Sequence, residues 1–298
     1  MNLLFTGASG FLGNNILYLL KRNYNIKTLG LSKTDDYNIN LAEDSPGFNQ
    51  RFDIVLHAAG KAHFVPRTLE DEGSFFAVNL QGTRNLCLAL EKVGVPSSFI
   101  FISSVAVYGL DFGELISEDH PLNGSTPYAL SKLQAEEYLT KWCSNHGVTL
   151  GIIRPSLIAG PNPPGNLGEM IEGIKSGKYL SISGGKARKS VLMVQDIANL
   201  VPLLVEKGGI YNVCDSEHPT FHDLEKLISK QHGKSNPMSI PYSLARLIAK
   251  VGDVFGNRAP FNSFKLKKIT TSLTFSNEKA LHELGWEPLN VLENFKVS

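Results

Sequence analysis

Short apolar segments alternate with longer amphipathic segments over the first half of the chain. The short segments are apolar on both faces, and they lie at residues 3–5, 26–31, 54–56, 99–102 and 150–153. Strands of this composition belong to parallel sheets that helices cover on both sides. The longer segments carry apolar residues at helical spacing, and they lie at residues 14–21, 75–92 and 128–142. The alternation predicts a doubly wound α/β domain with a parallel sheet over residues 1–155.

One connection between predicted strands in this domain has no pattern that predicts a helix. The segment between Leu31 and Asp53 is polar and rich in turn residues. A parallel crossover usually contains a helix, but this segment has room only for a strand near residues 39–41. We therefore predict a shortened crossover at this edge of the sheet.

The chain changes character after Arg154. Proline, glycine and asparagine are dense in residues 155–168, and helical patterns follow at residues 170–178, 194–207 and 221–232. Thr220 is the predicted N-cap of the last of these helices. We predict a smaller mixed α/β substrate-binding region over residues 156–298, with the chain able to cross back between the two regions.

Composition argues against a highly charged partner. The 29 lysines and arginines nearly balance the 28 aspartates and glutamates, so no general field attracts nucleic acid or an anionic membrane. No uninterrupted apolar segment reaches about 18 residues, and the first strand begins at Leu3, too early for a signal peptide. Residues 242–255 predict a helix whose apolar face packs against the protein rather than a membrane anchor. The expectation is a soluble cytoplasmic protein without a nucleic-acid or membrane partner.

Neither a disulfide nor a metal site is expected. Cys87, Cys143 and Cys214 are widely spaced in apolar or helical contexts, which is typical of buried free thiols. His218 and His222 have HxxxH spacing, but a helix is predicted to begin between them, so the two rings need not share a face.

A glycine-rich turn connects the first predicted strand to the first predicted helix. Gly7, Gly10 and Gly13 have the spacing of a dinucleotide-binding turn. The first glycine permits a tight turn, the second lets a pyrophosphate approach backbone N–H groups, and the third permits close packing of helix on strand. The helix N-terminus adds positive potential for the phosphates. Glycines also occur in such turns for packing alone, so this motif by itself leaves the dinucleotide site open.

Position 30 bears on the choice of dinucleotide. An NAD(H) site usually has an acidic residue at the end of the second strand, where it holds the ribose 2′-hydroxyl. Gly30 stands there in this chain, and Ser32 and Lys33 follow. The missing carboxylate removes a repulsion against a 2′-phosphate, which Ser32 and Lys33 are placed to contact. The pattern leans towards NADPH and leaves NAD open.

A tyrosine and a lysine lie one turn apart in a predicted helix. Tyr128 and Lys132 are at i and i+4 and therefore share one face. A nearby ammonium favours the phenolate, so Tyr128 can exchange a proton with a hydroxyl or carbonyl while a nicotinamide exchanges hydride. The strand before this helix ends in Ser103 and Ser104, at the sheet edge where open α/β folds bind ligands. Either hydroxyl can hold the reacting oxygen or bond the backbone, and the helical pair alone also suits a solvated surface.

Six short motifs follow one another along the chain. They are TGASGFLG at residues 6–13, HAAG at 57–60, VNLQGT at 78–83, SSVAVYG at 103–109, YALSK at 128–132 and RPSLIAGP at 154–161. Together they resemble the motifs of the extended short-chain dehydrogenase/reductase family, and its NAD(P)-dependent nucleotide-sugar epimerases and dehydratases are the most similar members. Later segments also resemble the substrate region of these enzymes, so the likeness covers nearly the whole chain. The resemblance implies a Rossmann fold and a nucleotide-sugar substrate.

The resemblance also implies roles for individual residues. Ser104, four positions before Tyr108, would bind the reacting oxygen, with Tyr128 as acid and base and Lys132 lowering its pKa. Together with Ser32 and Lys33, the expected cofactor site comprises Gly7, Gly10, Phe11, Leu12, Gly13, Asn40, Leu41, Ala58, Ala59, Lys61, Asn79, Tyr128, Lys132 and Pro155.

In the second region, the resemblance implies contacts with the substrate. Asn166 and Leu167 resemble a pair that meets the sugar nucleotide. Arg188 and Lys189 stand where relatives have a diphosphate-binding arginine, and either cation can neutralise a diphosphate. Relatives often form homodimers through the helices that correspond to residues 75–92 and 127–142.

The residues after Ser104 separate the reactions of the family. Its dehydratases carry Asp-Glu there, whereas Val105 and Ala106 in this chain cannot exchange a proton. Two reactions at C4 of a UDP-sugar in polysaccharide biosynthesis then remain, namely 4-epimerisation and NADPH-dependent reduction of a 4-keto-6-deoxy sugar. A non-catalytic dinucleotide-binding sensor is a more distant alternative, because such proteins usually lack the tyrosine or the lysine.

Overall fold

The computed structural model describes residues 1–62, 64–255 and 261–297. Its strands are β1 (Asn2–Thr6), β2 (Asn25–Gly30), β3 (Tyr37–Asn38), β4 (Ile54–His57), β5 (Ser98–Ile102), β6 (Gly113–Ile116), β7 (Thr149–Pro155), β8 (Leu157–Ala159), β9 (Ser181–Ile182), β10 (Val191–Met193), β11 (Gly209–Val213), β12 (Ser239–Ile240) and β13 (Leu273–Phe275). Its α-helices are α1 (Phe11–Leu20), α2 (Leu69–Phe76), α3 (Gly82–Val93), α4 (Pro127–His146), α5 (Gly165–Lys175), α6 (Val194–Lys207), α7 (Phe221–Gln231), α8 (Tyr242–Asp253), α9 (Ser263–Thr270), α10 (Glu278–Leu284) and α11 (Val291–Asn294).

A seven-stranded parallel sheet forms the centre of the fold. Its strand order is β11-β7-β5-β4-β1-β2-β3, and each neighbouring pair is parallel. β2 and β3 follow β1 on one side, and β4, β5, β7 and β11 follow on the other side. The direction of strand addition therefore reverses between β1 and β4. Ligands of open α/β sheets bind at such a reversal, beyond the carboxyl ends of the strands. The predicted doubly wound α/β fold is confirmed.

The sheet separates two hydrophobic layers. Leu3 and Phe5 of β1 face the layer that includes side chains of α1 and α6, and Leu4 faces the layer that includes side chains of α3 and α4. All three side chains are fully buried. Alternate residues of a strand point to opposite faces, so a strand covered by helices on both sides must be apolar throughout. This is why the central strands read as continuous apolar segments.

The crossover between β2 and β4 is short, as predicted. Residues 31–53 are all described, and they contain β3 but no helix. β3 lies slightly earlier than the strand predicted near residues 39–41. The ring of Tyr37 packs edge-on against Phe48 and Phe52, with centroids 5.1 and 6.2 Å away, and these contacts anchor the strand at Tyr37.

The helix predicted at residues 75–92 consists of three segments. α2 begins at Leu69, where Thr68 and Asp71 form a capping box, and a π-helical turn at Ala77–Gln81 joins α2 to α3. A π-helical turn inserts an extra residue into the helix, often at a functional site. Here it carries the fully buried Asn79. Apolar spacing alone does not reveal such an insertion.

The chain returns to the central sheet after residue 155. α6 packs on one face of the sheet, and β11 extends the sheet beside β7. A smaller hydrophobic cluster gathers side chains from α5, α7 and α11. The boundary between the two regions at residue 155 stays a prediction.

The predicted packing of residues 242–255 is wrong. α8 forms, but it turns the small residues Ala245, Ala249 and Gly252 inwards. Leu247 is 62% exposed and Val251 is 59% exposed. The helix has two stripes that lack charge, one of small residues and one of large residues. Its backbone approaches the protein closely on the small stripe, so the large stripe faces outwards.

Candidate active site

The glycine turn lies at the carboxyl end of β1, beside the reversal of strand order. Gly7 has a φ of +76°, and a Cβ there would lie 2.7 Å from the backbone nitrogen of Ala59. A Cβ on Gly13 would lie 2.2 Å from the carbonyl oxygen of Ala8. Both positions therefore exclude any side chain. Gly10 is the N-cap of α1, and the free N–H groups of a helix N-terminus suit an anion.

A buried hydrogen-bond chain lies beneath this turn. Thr6 Oγ1 is 2.6 Å from His57 Nδ1, and His57 Nε2 is 2.9 Å from Thr83 Oγ1. Thr83 donates its own hydroxyl to the carbonyl of Asn79 at 2.6 Å, so the imidazole donates through Nε2. Burial, and secondarily the charge of Lys132, lowers the pKa of His57 to about 3. His57 is therefore a neutral residue that ties β1 and β4 to α3.

Ser104, Tyr128 and Lys132 come together at the carboxyl end of β5. The Ser104 hydroxyl lies close enough to the Tyr128 phenol to lower the pKa of that phenol. Lys132 follows Tyr128 by one turn of α4 and donates from Nζ to the carbonyl of Ile102 at 2.9 Å. Thr126 caps α4 through its hydroxyl, which sets the start of the helix and the position of Tyr128 within it. The three predicted catalytic residues are thus neighbours, and their roles stay predictions.

Burial changes the proton affinities of this group. It lowers the pKa of Lys132 to about 8, against the opposing influence of Glu136. It also raises the pKa of Tyr128, against the opposing influence of Ser104. The expected lowering of the Tyr128 pKa by Lys132 is not found in this arrangement, because burial dominates and the ammonium is bonded to the carbonyl of Ile102.

Ser103 faces away from Tyr128. It donates to Glu136 inside a buried network, in which Arg154 Nη2 donates to Glu136 Oε2 at 2.6 Å. Arg154 Nη1 donates to the hydroxyl of Tyr108 at 3.0 Å. The network ties α4 to β7 and to the 3₁₀ turn that begins after Ser104. Sequence reasoning missed the Glu136–Arg154 pair. Two features of the sequence could have indicated it, namely a glutamate one turn after Lys132 and an arginine at the end of a buried strand.

The segment after β4 runs beside Lys132. It contains three of the expected cofactor residues, Ala58, Ala59 and Lys61. Asn79 Oδ1 accepts a hydrogen bond from Lys61 N at 2.8 Å, and Lys61 Nζ donates to Ser74 Oγ at 2.7 Å. A Cβ on Gly60 would lie 3.0 Å from both Lys132 Nζ and Asn79 Oδ1. A glycine at this position leaves the Lys132 ammonium room to move.

An aspartate stands at the end of β2 despite Gly30. Asp35 Oδ2 lies 2.6 Å from the position of a Cβ on Gly30, and it accepts a hydrogen bond from Ser32 N at 3.0 Å. The inference that this position lacks a carboxylate is therefore wrong, because the loop folds back and supplies one from downstream. Lys33 is exposed on the same loop. The position of Asp35 in the sequence, five residues after Gly30, does not reveal that the loop brings its carboxylate back to the end of β2.

The remaining expected cofactor residues lie on several elements of the first region. Phe11 and Leu12 begin α1, and Pro155 ends β7. Asn40 Oδ1 accepts from the backbone N–H two residues later at 3.2 Å. Leu41 is buried, and its side chain packs in the hydrophobic layer under α3 and α4.

The expected substrate residues differ in their surroundings. Leu167 is buried in the smaller hydrophobic cluster, and Asn166 is exposed beside it on α5. Arg188 donates from Nη1 to two backbone carbonyls, at 3.0 and 3.4 Å. Lys189 is half-buried, and burial and the Lys268 ammonium lower its pKa to about 8. Asp111 opposes this lowering of the Lys189 pKa. Sequence reasoning did not identify Lys268 as a neighbour of Lys189.

Other chemistry finds little support in the part of the chain that the structure describes. Within it, no group of three or more His, Cys, Asp and Glu side chains is arranged to hold a metal ion. His218 Nδ1 pairs with Ser190 Oγ at 3.0 Å. Cys87, Cys143 and Cys214 are buried free thiols, as predicted. None of the described helices is long and apolar enough to cross a membrane.

The sequence is similar to known proteins along most of the chain. The model of the NAD dependent epimerase/dehydratase family matches residues 3–214. The N-acetyl-α-D-glucosaminyl-diphospho-ditrans,octacis-undecaprenol 4-epimerase of Escherichia coli O157:H7 is 31% identical, over 96% of this chain and 90% of its own. The GDP-6-deoxy-D-mannose reductase of Pseudomonas aeruginosa is 30% identical, over 76% of this chain and 79% of its own.

Solved structures show the same fold. The UDP-glucose 4-epimerase of Thermotoga maritima with UDP-glucose has a TM-score of 0.76 at 21% identity, over 99% of this chain and 96% of its own. The RMD protein of Pseudomonas aeruginosa complexed with NADPH has a TM-score of 0.74 at 24% identity, over the same shares. Fold and family together define an NAD(P)-dependent enzyme of the epimerase and reductase type. The chain belongs to the NAD dependent epimerase/dehydratase family.

Proposed function

We propose that this enzyme acts at C4 of a nucleotide-activated sugar, a UDP-sugar, in polysaccharide biosynthesis. The closeness of Ser104 to the Tyr128 phenol, with Lys132 one turn further along α4, carries the proposal. Two hydroxyls that converge on one point can hold the oxygen of a sugar carbon while a proton moves between it and the phenol. The name of the E. coli relative supports C4 as the reacting carbon.

The cleft suits a dinucleotide across the carboxyl ends of β1 and β4. Gly10 and the start of α1 would hold the pyrophosphate, because helix N–H groups lie beside residues without side chains. Lys132 would hold the nicotinamide ribose through its ammonium, in the space that Gly60 leaves. A bound nicotinamide supplies or accepts the hydride at the carbon that bears the reacting oxygen.

Tyr128 would act as the acid and base, and Ser104 would hold the C4 oxygen. In the oxidation direction Tyr128 would accept the C4 proton as the phenolate, a state that the Lys132 ammonium, shifted from the Ile102 carbonyl into the space beside Gly60, and a positively charged oxidised nicotinamide would favour. In the reduction direction the neutral phenol would return that proton to the C4 oxygen. Ser104 donates its hydroxyl to the same oxygen and limits its movement. Val105 and Ala106 follow Ser104 and carry no group that exchanges a proton, so 4,6-dehydration is not part of the proposal.

Asp35 supports NAD(H) as the cofactor. Its carboxylate lies at the end of β2, where it would accept from a ribose 2′-hydroxyl and repel a 2′-phosphate. With NAD(H) retained in the site, the favoured reaction is 4-epimerisation, in which the hydride leaves C4 and returns to it. The second candidate is the NADPH-dependent reduction of a 4-keto-6-deoxy sugar, which Lys33 and the similarity to the Pseudomonas reductase support.

Lys189 and Lys268 would bind the diphosphate of the substrate. Lys189 is half-buried beside Lys268, whereas the Arg188 guanidinium is bonded to backbone carbonyls. A diphosphate links the sugar in a UDP-sugar and also in the undecaprenol-linked sugar that the name of the E. coli relative describes. Both kinds of donor therefore belong in the substrate panel.

The test begins with the dinucleotide that the purified protein releases on denaturation. The protein is then offered UDP-sugars, 4-keto-UDP-sugars and the undecaprenol-linked sugar, with NADH or NADPH. Interconversion of C4 epimers with retained NAD supports the epimerase, and net consumption of NADPH with a keto sugar supports the reductase. Absence of turnover with every substrate, together with tight dinucleotide binding, would instead favour the sensor.

A further inference from the structure

The outer face of α8 carries a stripe of large apolar side chains. Leu244, Leu247, Ile248 and Val251 recur at helical spacing, and each is between 43% and 62% exposed. Leucine and isoleucine in a soluble helix normally occupy the buried face. In α8 that face is formed by residues without large side chains, so the structure leaves the larger apolar stripe in contact with water.

The stripe continues beyond the end of α8. Val254 and Phe255 are 82% and 65% exposed, and Phe264 on α9 is 54% exposed. Asp253 at the end of α8 accepts hydrogen bonds from Ser263 N at 2.8 Å and from Ser263 Oγ at 2.6 Å. These contacts hold the start of α9 against the end of α8. We call α8, Val254, Phe255 and α9 the α8–α9 surface.

The charges of the α8–α9 surface have one predominant sign. Besides Lys268, which is assigned to the substrate above, its cations are Arg246, Lys250, Lys265 and Lys267, of which Lys267 is ion-paired with Asp111 at 3.3 Å. Asp253 is the carboxylate that the described residues of this surface contribute. The whole chain has a formal net charge of only +1, so the excess is local. Arg246 and Lys250 follow the same helical spacing beside the apolar stripe. A helix of this composition is typical of segments that lie in the interface of an anionic bilayer.

We propose that the α8–α9 surface binds the surface of a bilayer that contains anionic lipids. The large apolar side chains enter the boundary between headgroups and acyl chains, and Arg246 and Lys250 meet the lipid phosphates. α8 has 12 residues and is therefore about 18 Å long, which suits a helix lying in the membrane plane. This proposal does not depend on the reaction proposed above.

Charge favours a bilayer over a second copy of the chain. A symmetric dimer places the same patch on both subunits, so this surface would face its own excess of cations. Each interfacial cation near an anionic leaflet instead contributes about 1 kcal/mol, or about fivefold in binding. The apolar stripe alone fits either partner, and the cations fit the bilayer.

The test is flotation of the whole protein with vesicles of phosphatidylcholine and phosphatidylglycerol, compared with phosphatidylcholine alone. We expect binding to the anionic vesicles, and a loss of about tenfold or more in Leu247→Glu and Val251→Glu. Arg246→Gln and Lys250→Gln should each weaken binding about fivefold. Leu69→Glu, which replaces another exposed leucine on α2, is the matched control and should bind like the parent.

Three outcomes would overturn the proposal. The Leu247→Glu variant could float with anionic vesicles as well as the parent does, or the parent protein could fail to float. The parent could also be a dimer that Leu247→Glu converts to monomers, with no binding of either protein to vesicles. Circular dichroism and thermal unfolding of each variant show whether the fold is retained. Dinucleotide release from the same samples reports on the proposed catalytic function separately, so failure of one proposal is distinguishable from failure of the other.

Discussion

Asp35 places its carboxylate 2.6 Å from the point where a side chain on Gly30 would begin. The second strand therefore ends beside an acid, although its own last residue is glycine. We predict that Asp35→Asn lowers the affinity for NADH and raises that for NADPH, shifting the ratio of the two dissociation constants by about tenfold or more. Asp36→Asn is the matched control, because Asp36 is paired with Lys27 instead. An unchanged ratio in Asp35→Asn would contradict the assignment.

Lys33 gives a second test of how the end of β2 would bind the 2′ group of the dinucleotide. Its ammonium is exposed on the loop that carries Asp35. We expect Lys33→Ala to weaken NADPH, through loss of a contact with the 2′-phosphate, and to leave NADH unchanged. Dissociation constants from fluorescence titration measure both effects, and equal weakening of the two cofactors would count against this role.

Lys189 and Arg188 should differ in their effect on the substrate. We predict that Lys189→Met raises KM for a UDP-sugar by about tenfold or more, because a charge-assisted bond to the diphosphate is lost. Arg188→Met should have a smaller effect, since its guanidinium is occupied by backbone carbonyls. Dinucleotide affinity should stay at the parent value in both. A larger KM effect in Arg188→Met would reverse the assignment.

The neutral state of His57 predicts a dependence of stability on pH. The pKa of His57 is about 3 in the folded protein, below the ordinary value of about 6.5. The unfolded chain therefore binds the extra proton first, and stability falls as the pH decreases from about 6.5 towards 3, by roughly 1.4 kcal/mol per pH unit. Between pH 7 and pH 5, the free energy of unfolding from urea titration should change by about 2 kcal/mol more in the destabilising direction in the parent than in His57→Gln. His282→Gln, at an exposed site, should retain it.

The Glu136–Arg154 pair predicts a second effect on stability. Removing one member leaves a buried charge without its partner, so Glu136→Gln should destabilise the protein by roughly 3–5 kcal/mol. Replacing both members, in Glu136→Gln with Arg154→Met, should recover part of this loss. The exposed neighbour Glu137 provides the control variant Glu137→Gln. A parent-like free energy of unfolding for Glu136→Gln would show that the pair is not the structural link between α4 and β7.

The central sheet could be predicted from the sequence because burial on both faces leaves a continuous apolar segment in each strand. The catalytic helix could be predicted for a similar reason, since Tyr128 and Lys132 lie at a spacing fixed by helical geometry. The position of Asp35 could not, because it depends on the path of a short irregular loop. The outward stripe of α8 could not be predicted either, because α8 has two uncharged stripes and either could face the protein. The stripe of small residues faces inwards because it lets the helix backbone approach the protein closely.

Tyr128→Phe tests the central claim most directly. The substitution removes one hydroxyl beside Ser104 and leaves the glycine turn and Lys132 in place. We predict that conversion at C4 of the active substrate falls by about 100-fold to 10,000-fold, while dinucleotide affinity stays within about twofold of the parent. Tyr138→Phe, on the same helix, should keep parent activity. Parent-like turnover in Tyr128→Phe would contradict the proposed acid–base role and with it the assignment of this site.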